Sequence, residues 1–221
     1  SSYDVIFFMP GVSLNDYHSP IHIKESNLQY NFLEFIIKRG IKNLIIPGSC
    51  LEYSHTNNSH NENDECIPIT HYGKGKLALL KSLTKLQKNY KFNLTWYRLF
   101  FLYGFGTTRG VFSSLINASN SSNIDFYMSS GLQIRDFIHI DEVISIIYTI
   151  AMNNRNNGIV NICSGNKISL LEHINSWIFK YNININLIRN KYPIPDYEPF
   201  TFVGNRNKLI KILAENKNEY K

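Results

Sequence analysis

Tyr72 and Lys76 stand four residues apart in the stretch THYGKGKLALLKSL, residues 70–83. On a helix that spacing puts both side chains on one face, one turn apart. An ammonium beside a phenol favours the phenolate and lowers its pKa. Tyr72 would then be a proton donor and acceptor usable near neutral pH. A helix start with a packed tyrosine and a solvated lysine has the same spacing, so the pair takes its meaning from its neighbours. Ser49 is one of them. It follows the apolar run KNLIIP, residues 42–47, in Gly48-Ser49-Cys50-Leu51-Glu52-Tyr53. In open parallel sheets ligands bind beyond the carboxyl ends of the strands, which is where this serine falls. A serine in an ordinary turn is the competing reading.

The elements that must position these residues alternate. DVIFFM, residues 4–9, is an apolar run stopped by Pro10-Gly11, a buried strand ending in a turn. From about Pro20 to Lys38, Leu28, Phe32, Phe35 and Ile36 recur at helical spacing, and Gly40 ends the helix. With residues 42–47 this makes strand, helix and strand, a parallel crossover unit. Residues 54–71 are polar and irregular and read as a mobile surface loop able to serve as a lid. Their His55, His60, Cys66 and His71 match no familiar zinc spacing, and no metal is expected. The Tyr72 helix runs to about Tyr90 with Leu77, Leu80, Leu83 and Leu86 on one face. LTWYRLFFLYG, residues 94–104, is a third strand, and residues 125–128 form a short one. After Arg135-Asp136-Phe137-Ile138-His139-Ile140-Asp141 a helix carries Val143, Ile144, Ile147 and Ile150 as its core stripe. IVNIC, residues 159–163, is a fourth strand. Ser169-Leu-Leu-Glu172 is a capping box that opens a helix to about Tyr181.

The 221 residues are 43% hydrophobic, enough for one domain with a real core, or one with a small lobe. No apolar run approaches the roughly 18 residues of a membrane span, and no signal peptide is visible. Cys50, Cys66 and Cys163 lack paired spacing and read as reduced thiols in a cytoplasm. The net charge of +6 is scattered, with mild clusters at 85–91 and 206–221. Scattered excess charge suits a small anionic ligand, and no zinc finger, RNA-binding sheet motif or aromatic-basic interleaving points to nucleic acid.

Six motifs stand in order along the chain. Residues 3–11 form the first strand and its turn, and Gly48-Ser49 to Tyr53 ends the second. Tyr72 and Lys76 follow, then Arg98-Leu-Phe with Tyr103-Gly104. Arg135-Asp136-Phe137 with His139 and Asp141 is the fifth, and Asn161 with Ser164-Gly165 the sixth. Together with Asn27 in the first helix they resemble the extended short-chain dehydrogenase/reductase family, the nucleotide-sugar epimerases, dehydratases and ketoreductases. The resemblance implies an α/β fold, a Rossmann-like parallel sheet with helices on both faces, plus a small C-terminal substrate lobe. The nucleotide-binding core would span 1–106 and 135–165, and the lobe 107–134 and 166–221. It implies hydride transfer between NAD or NADP and a nucleotide sugar. Ser49, Tyr72 and Lys76 would be catalytic. Met9, Pro10, Asn27 and Phe100 would contact the cofactor along with Tyr72 and Lys76. Ser49, Phe101 and Arg135 would contact the substrate, Arg135 gripping the pyrophosphate with its fixed fork of donors. A salt bridge to Asp136 or Asp141 is the competing use of Arg135. His139 and Asp141 are expected to fix the loop and cap the following helix. Members of the family often dimerise through a bundle that includes the Tyr-x-x-x-Lys helix, so a homodimer is implied.

Departures from the family pattern narrow the reaction. Cys50 and Leu51 stand where the family's dehydratases carry an Asp-Glu pair, so elimination is not expected. The Gly-Ser-Cys-Leu-Glu-Tyr form looks more like the 4-ketoreductases, with 4-epimerases next. Phe101 replaces a common substrate-contacting asparagine, Phe105 a following proline, and Pro10 a usual alanine. The sequence has no Gly-x-x-Gly-x-x-Gly strand–helix unit and begins about where the family's fourth strand would be. This leads us to expect a fragment or a natural truncation, and it keeps open a reading of another class, a non-catalytic binding module. A sheet without those strands would leave apolar faces and unpaired edges open, favouring poor folding or association.

Overall fold

A computed structural model of the chain describes residues 5–7, 14–122, 124–153, 155–194 and 196–218. In chain order the elements begin with strand β1 (Val5–Phe7), helix α1 (Ile21–Lys38), strand β2 (Asn43–Ser49) and a 3-10 turn (Cys50–Glu52). Strand β3 (Ser59–His60), helix α2 (His71–Leu86) and strands β4 (Asn93–Leu99) and β5 (Phe101–Tyr103) follow. Then come α3 (Val111–Ser119), β6 (Asp125–Tyr127), β7 (Ile134–Arg135), β8 (Phe137–His139), α4 (Ile140–Met152) and β9 (Gly158–Ile162). The described chain closes with β10 (Ile168–Ser169), α5 (Leu170–Tyr181), β11 (Asn186–Ile188), β12 (Thr201–Gly204) and α6 (Asn207–Asn218).

Strands β1, β2, β4 and β9 form a parallel sheet in that spatial order. The pleat sends alternate residues to opposite faces. Leu44, Ile46, Leu94 and Trp96 meet Leu33 and Ile37 of α1 and the leucines of α2. Ile45, Tyr97, Val160 and Ile162 meet Val143, Ile146 and Ile150 of α4 and Leu209 of α6. Burial on both faces explains why β2 and β4 read as continuous apolar runs rather than alternating ones. The fold is therefore α/β, a Rossmann-like parallel sheet with helices on both faces. A separate cluster of Phe112, Leu115, Met128, Phe137, Leu170, Ile174 and Trp177 forms a second core.

Several expectations change on contact with the packing. Leu28, Phe32 and Phe35 of α1 are exposed; the buried face runs through His22, Ser26, Leu33 and Ile37. The period is helical as read, but the packed face carries polar residues and hides its identity. On α4 Ile144 is 59% exposed, and Ile146 takes the place in the core. The expected strand 94–104 breaks at Phe100, whose N–H donates to Ile162 O while that of Phe101 donates to Asp136 O. β5 thereby leaves the main sheet and pairs with β8. The polar segment 54–71 lies largely at the surface as expected but is anchored: β3 pairs with β12, and His60 is buried between Tyr53 and Phe202. Nor do residues 166–221 stay together, because α6 packs on the main sheet with α4.

Candidate active site

Ser49 is the last residue of β2, and Tyr72 and Lys76 lie in the first turns of α2. That helix starts at Thr70, whose Oγ1 accepts from Gly73 N–H at 3.1 Å. It lies against α1 so closely that a Cβ on Gly75 would stand 2.6 Å from the His22 carbonyl oxygen, an approach that needs glycine. The tight crossing carries Tyr72 and Lys76 beneath α1 and beside the carboxyl end of β2.

Lys76 Nζ donates to Pro47 O at 2.9 Å and lies 5.9 Å from the centre of the Tyr72 ring. Burial pushes the Lys76 ammonium below the usual lysine range, and the carboxylates of Glu52 and Glu25 oppose that shift. Tyr72 is pushed above the usual phenol range, by burial first and then by Tyr17, Cys50 and Glu52. A hydrogen bond with the Ser49 side chain acts the other way. The expected lowering of Tyr72 by Lys76 is thus absent from the chain by itself. The ammonium is engaged by a backbone carbonyl, and a dry phenol resists ionisation. His22, Glu25 and Ser26 of α1 line one cavity with Tyr72 and Lys76. His22 Nε2 shares a hydrogen bond with Asp16 O at 2.8 Å, and its ring meets Tyr72 edge-on at 5.2 Å.

A line of aromatic contacts runs from Tyr72 to Arg135. Tyr17 lies 5.3 Å from Tyr72 and 5.7 Å from Tyr197, centroid to centroid. Burial pushes the Tyr17 phenol up to about 12, with Cys50, Tyr197 and Glu198 adding to it. Next to Tyr197, Glu198 accepts from Arg135 Nε at 2.9 Å. Arg135 Nη1 donates to the carbonyls of Ile134, Pro199 and Phe200. Nη2 lies 2.8 Å from the same Glu198 carboxylate. The Phe101 ring centre is 5.7 Å from the guanidinium carbon.

The structure brings Ser49, Tyr72 and Lys76 together, and Phe101 with Arg135. Arg135 does form an ion pair, but with Glu198 rather than Asp136 or Asp141. Asp136 instead accepts from Ser164 N–H and Oγ–H and from the N–H groups of Gly165 and Gly204. Three segments are joined behind Arg135 in this way. His139 caps α4, its Nδ1 accepting from Asp141 N–H at 3.2 Å. Asn27 is exposed on α1, off the stripe of His22, Ser26 and Gln29 that faces the cavity. Phe100 is shut into the core with Cys163 and Phe202, which leaves its ring no open face for a cofactor. Met9 and Pro10 lie outside the described residues.

Five residues of this neighbourhood went unread in the sequence: Tyr17, His22, Glu25, Tyr197 and Glu198. A sixth, Glu52, did carry a signal. Ser49-Cys50-Leu51-Glu52 has the same Ser-x-x-Glu spacing as the capping box at 169–172, and in the structure it is one.

Residues 10–163 match the sequence profile of the NAD dependent epimerase/dehydratase family. A dTDP-6-deoxy-L-talose 4-dehydrogenase (NAD(+)) of Aggregatibacter actinomycetemcomitans is 25% identical over 191 residues, covering 86% of this chain and 70% of the relative. Among solved structures, the NAD dependent NDP-hexosamine 5,6-dehydratase TunA superposes with a TM-score of 0.77 at 17% identity, over 97% of this chain and 76% of its own. The UDP-glucuronic acid 4-epimerase of Bacillus cereus, in complex with UDP-glucuronic acid and NAD, gives a TM-score of 0.71 at 21% identity over 87% of this chain. The chain spans 61% of that epimerase and 62% of MoeE5, solved with UDP-glucuronic acid and NAD (TM-score 0.72, 18% identity, 84% of this chain). These structural likenesses establish the fold.

Proposed function

The chain belongs to the NAD dependent epimerase/dehydratase family, and from that premise we propose that it is the catalytic part of an oxidoreductase acting on a nucleotide sugar, reducing a 4-keto group. The observation that carries this reading is the meeting of Ser49, Tyr72 and Lys76 at the carboxyl end of β2. The 4-dehydrogenase relative supports chemistry at that carbon. Cys50 and Leu51 beside Ser49 are buried and carry no acid for an elimination.

The residues fit a nicotinamide dinucleotide, NAD by analogy with the relative. Among the described residues the Lys76 ammonium gives a hydrogen to Pro47 O, leaving donors for ribose hydroxyls. When bound, such a cofactor supplies or accepts the hydride. The chain's own groups would do the rest. The Tyr72 phenol oxygen gives a proton to the sugar oxygen on reduction and takes it back on oxidation. Ser49 Oγ hydrogen-bonds that same oxygen, and Lys76 offsets the cost of a buried phenolate. Arg135 takes a phosphate oxygen, its guanidinium fork being held at present by the Glu198 carboxylate.

A 4-epimerase is the second reading, since the same three residues can serve oxidation and re-reduction at one carbon. Among the described residues no helix is long and apolar enough to cross a membrane. A cytoplasmic setting fits the three free thiols. A homodimer through α1 and α2 fits the exposed Leu28, Phe32 and Phe35.

Titration of the chain with NADH and NADPH, followed by assays on 4-keto and UDP sugars, tests the proposal. Net cofactor oxidation dependent on a 4-keto sugar is the expected result. Sugar interconversion with cofactor retained would make the protein an epimerase. Nucleotide-sugar binding without either reaction by a folded, cofactor-saturated sample would make it a binding module and overturn the catalytic reading.

A further inference from the structure

A fully buried carboxylate lies directly behind the candidate site. Glu52, at the end of the 3-10 turn, has 0% exposure. Its Oε1 accepts from Ser49 N–H at 2.8 Å and from Trp96 Nε1–H at 3.0 Å. Its Oε2 accepts from Arg98 Nε–H at 3.0 Å. Ser49 Oγ in return accepts from Leu51 N–H at 3.2 Å. Gly48 makes room for the cluster: a Cβ there would stand 2.1 Å from Trp96 Nε1 and 2.4 Å from Glu52 Oε1. Glu52 and Lys76 therefore grip the same three residues. Lys76 holds the Pro47 carbonyl, Glu52 holds the Ser49 amide, and Gly48 lies between.

We propose that Glu52 is a positioning residue of this site: its carboxylate fixes the peptide that carries Ser49 and places a buried negative charge at the three-residue segment that Lys76 holds from its other end. The proposal deepens the reading of Ser49 and Lys76 given above and rests on it for its functional meaning. A capping box in a surface turn needs no burial, and a buried carboxylate is costly unless its charge is used or paired. Here it is paired with Arg98 and still bears on Lys76, where its pull is the largest one opposing desolvation. Around Lys76 the other groups are Glu25 and His22 from α1, Tyr72 on its own helix and the neutral Pro47 carbonyl from β2.

The test uses the full chain labelled with [ε-13C]lysine, the Lys76 signal being identified by its loss in Lys76→Arg. Glu52→Gln keeps an acceptor for the Ser49 amide and removes the charge. Glu52→Leu/Arg98→Met removes both buried charges and the acceptor, which protects the fold if the single change does not hold. In Glu52→Gln the Lys76 titration midpoint is expected to fall by about one pH unit or more, in the double variant to move less because the Arg98 cation leaves with the carboxylate, and in Trp96→Phe to stay put. Hydrogen exchange at the Ser49 amide is expected to speed up roughly tenfold or more in the double variant and to change little in Glu52→Gln. A Lys76 midpoint unmoved in Glu52→Gln, or a Ser49 amide still protected in the double variant, overturns the proposal. Neither readout needs substrate or cofactor. A chain that binds no nucleotide sugar would therefore count against the proposed function and leave the result for Glu52 standing.

Discussion

The floor of the candidate site and its rim are built on different terms. On the floor, Ser49, Tyr72 and Lys76 come from the end of a buried strand and the start of a packed helix. Lys76 is tied to the Pro47 carbonyl and the Ser49 amide to the fully buried Glu52 carboxylate, and the Tyr72 side chain meets that of Ser49. On the rim, Arg135 sits on a two-residue strand, and its acidic partner Glu198 precedes the short strand β12. The Glu198 side chain is 15% exposed, and Tyr197 beside it is held by ring contacts to Tyr17 and His18. Glu198 sits on the Arg135 fork, and carboxylate and phosphate oxygens suit that fork alike. On the proposed reading the floor's partners stay, and Glu198 is the one rim partner that a phosphate would replace. Substitutions on the floor should cost turnover or folding; those on the rim should change affinity.

The largest effect that would confirm this contrast is at Tyr72. Tyr72→Phe is expected to lower turnover on a nucleotide sugar by about 10²- to 10⁴-fold while leaving the melting temperature within a few degrees. Steady-state kinetics beside a thermal melt decide it, and retained turnover would sink the role given to the phenol. Next in size is the buried pair under the floor. Arg98→Met strands Glu52 without its cation, and we expect a loss of about 3–5 kcal/mol in urea unfolding. Arg155→Ala removes one partner of the exposed Arg155–Glu215 contact and should cost about 0–1 kcal/mol. Equal costs would erase the distinction between buried and exposed charge on which the floor depends. On the rim, Glu198→Gln should tighten binding of inorganic pyrophosphate roughly tenfold, the scale of one charge-assisted hydrogen bond freed for the ligand. Calorimetry in fixed salt reads it. Weaker binding would mean that Glu198 holds the ligand together with Arg135 rather than standing in for it.

The same contrast governs what the sequence reveals. The floor is legible because its residues carry local signals. Ser49 ends an apolar run, Tyr72 and Lys76 share a helix face, and the strand–helix alternation follows from periods of two and 3.6. The rim has no such grammar. Tyr17, Tyr197 and Glu198 come from irregular segments separated by most of the chain, and only the pairing of β12 with β7 brings Glu198 to Arg135. Asn27 shows how a motif and a helix face can diverge. A motif match placed it at the site, yet the cavity-facing stripe of α1 passes through His22, Ser26 and Gln29. Polar residues on a packed face defeat a search for apolar periodicity, and two apolar faces on one helix leave the choice between them to tertiary contacts. The break at Phe100 is of the same kind. LTWYRLFFLYG reads as one strand, and the switch of partners depends on Ile162 and Asp136, far along the chain.

The smallest expected effect concerns pH and again separates the two regions. Behind the rim, His173 is buried against Phe137 and Trp177, and its Nε2 lies 3.3 Å from Arg135 O. Burial lowers its pKa below the usual histidine value, while the Arg135 carbonyl, Asp136 and Glu172 act the other way. The unfolded chain therefore binds this proton more readily than the folded one. The stability that the neutral ring contributes is complete above about pH 6.5, the unfolded histidine value. It is lost as pH falls through the lower folded value. His60, buried between Tyr53 and Phe202 and also lowered chiefly by burial, adds to the same acid slope. His173→Gln should flatten the fall in melting temperature between pH 7 and pH 5 without removing it, because His60 remains. Above pH 7 the slope should be unchanged. If the variant keeps the full acid slope, the neutral His173 ring does not couple the rim to pH.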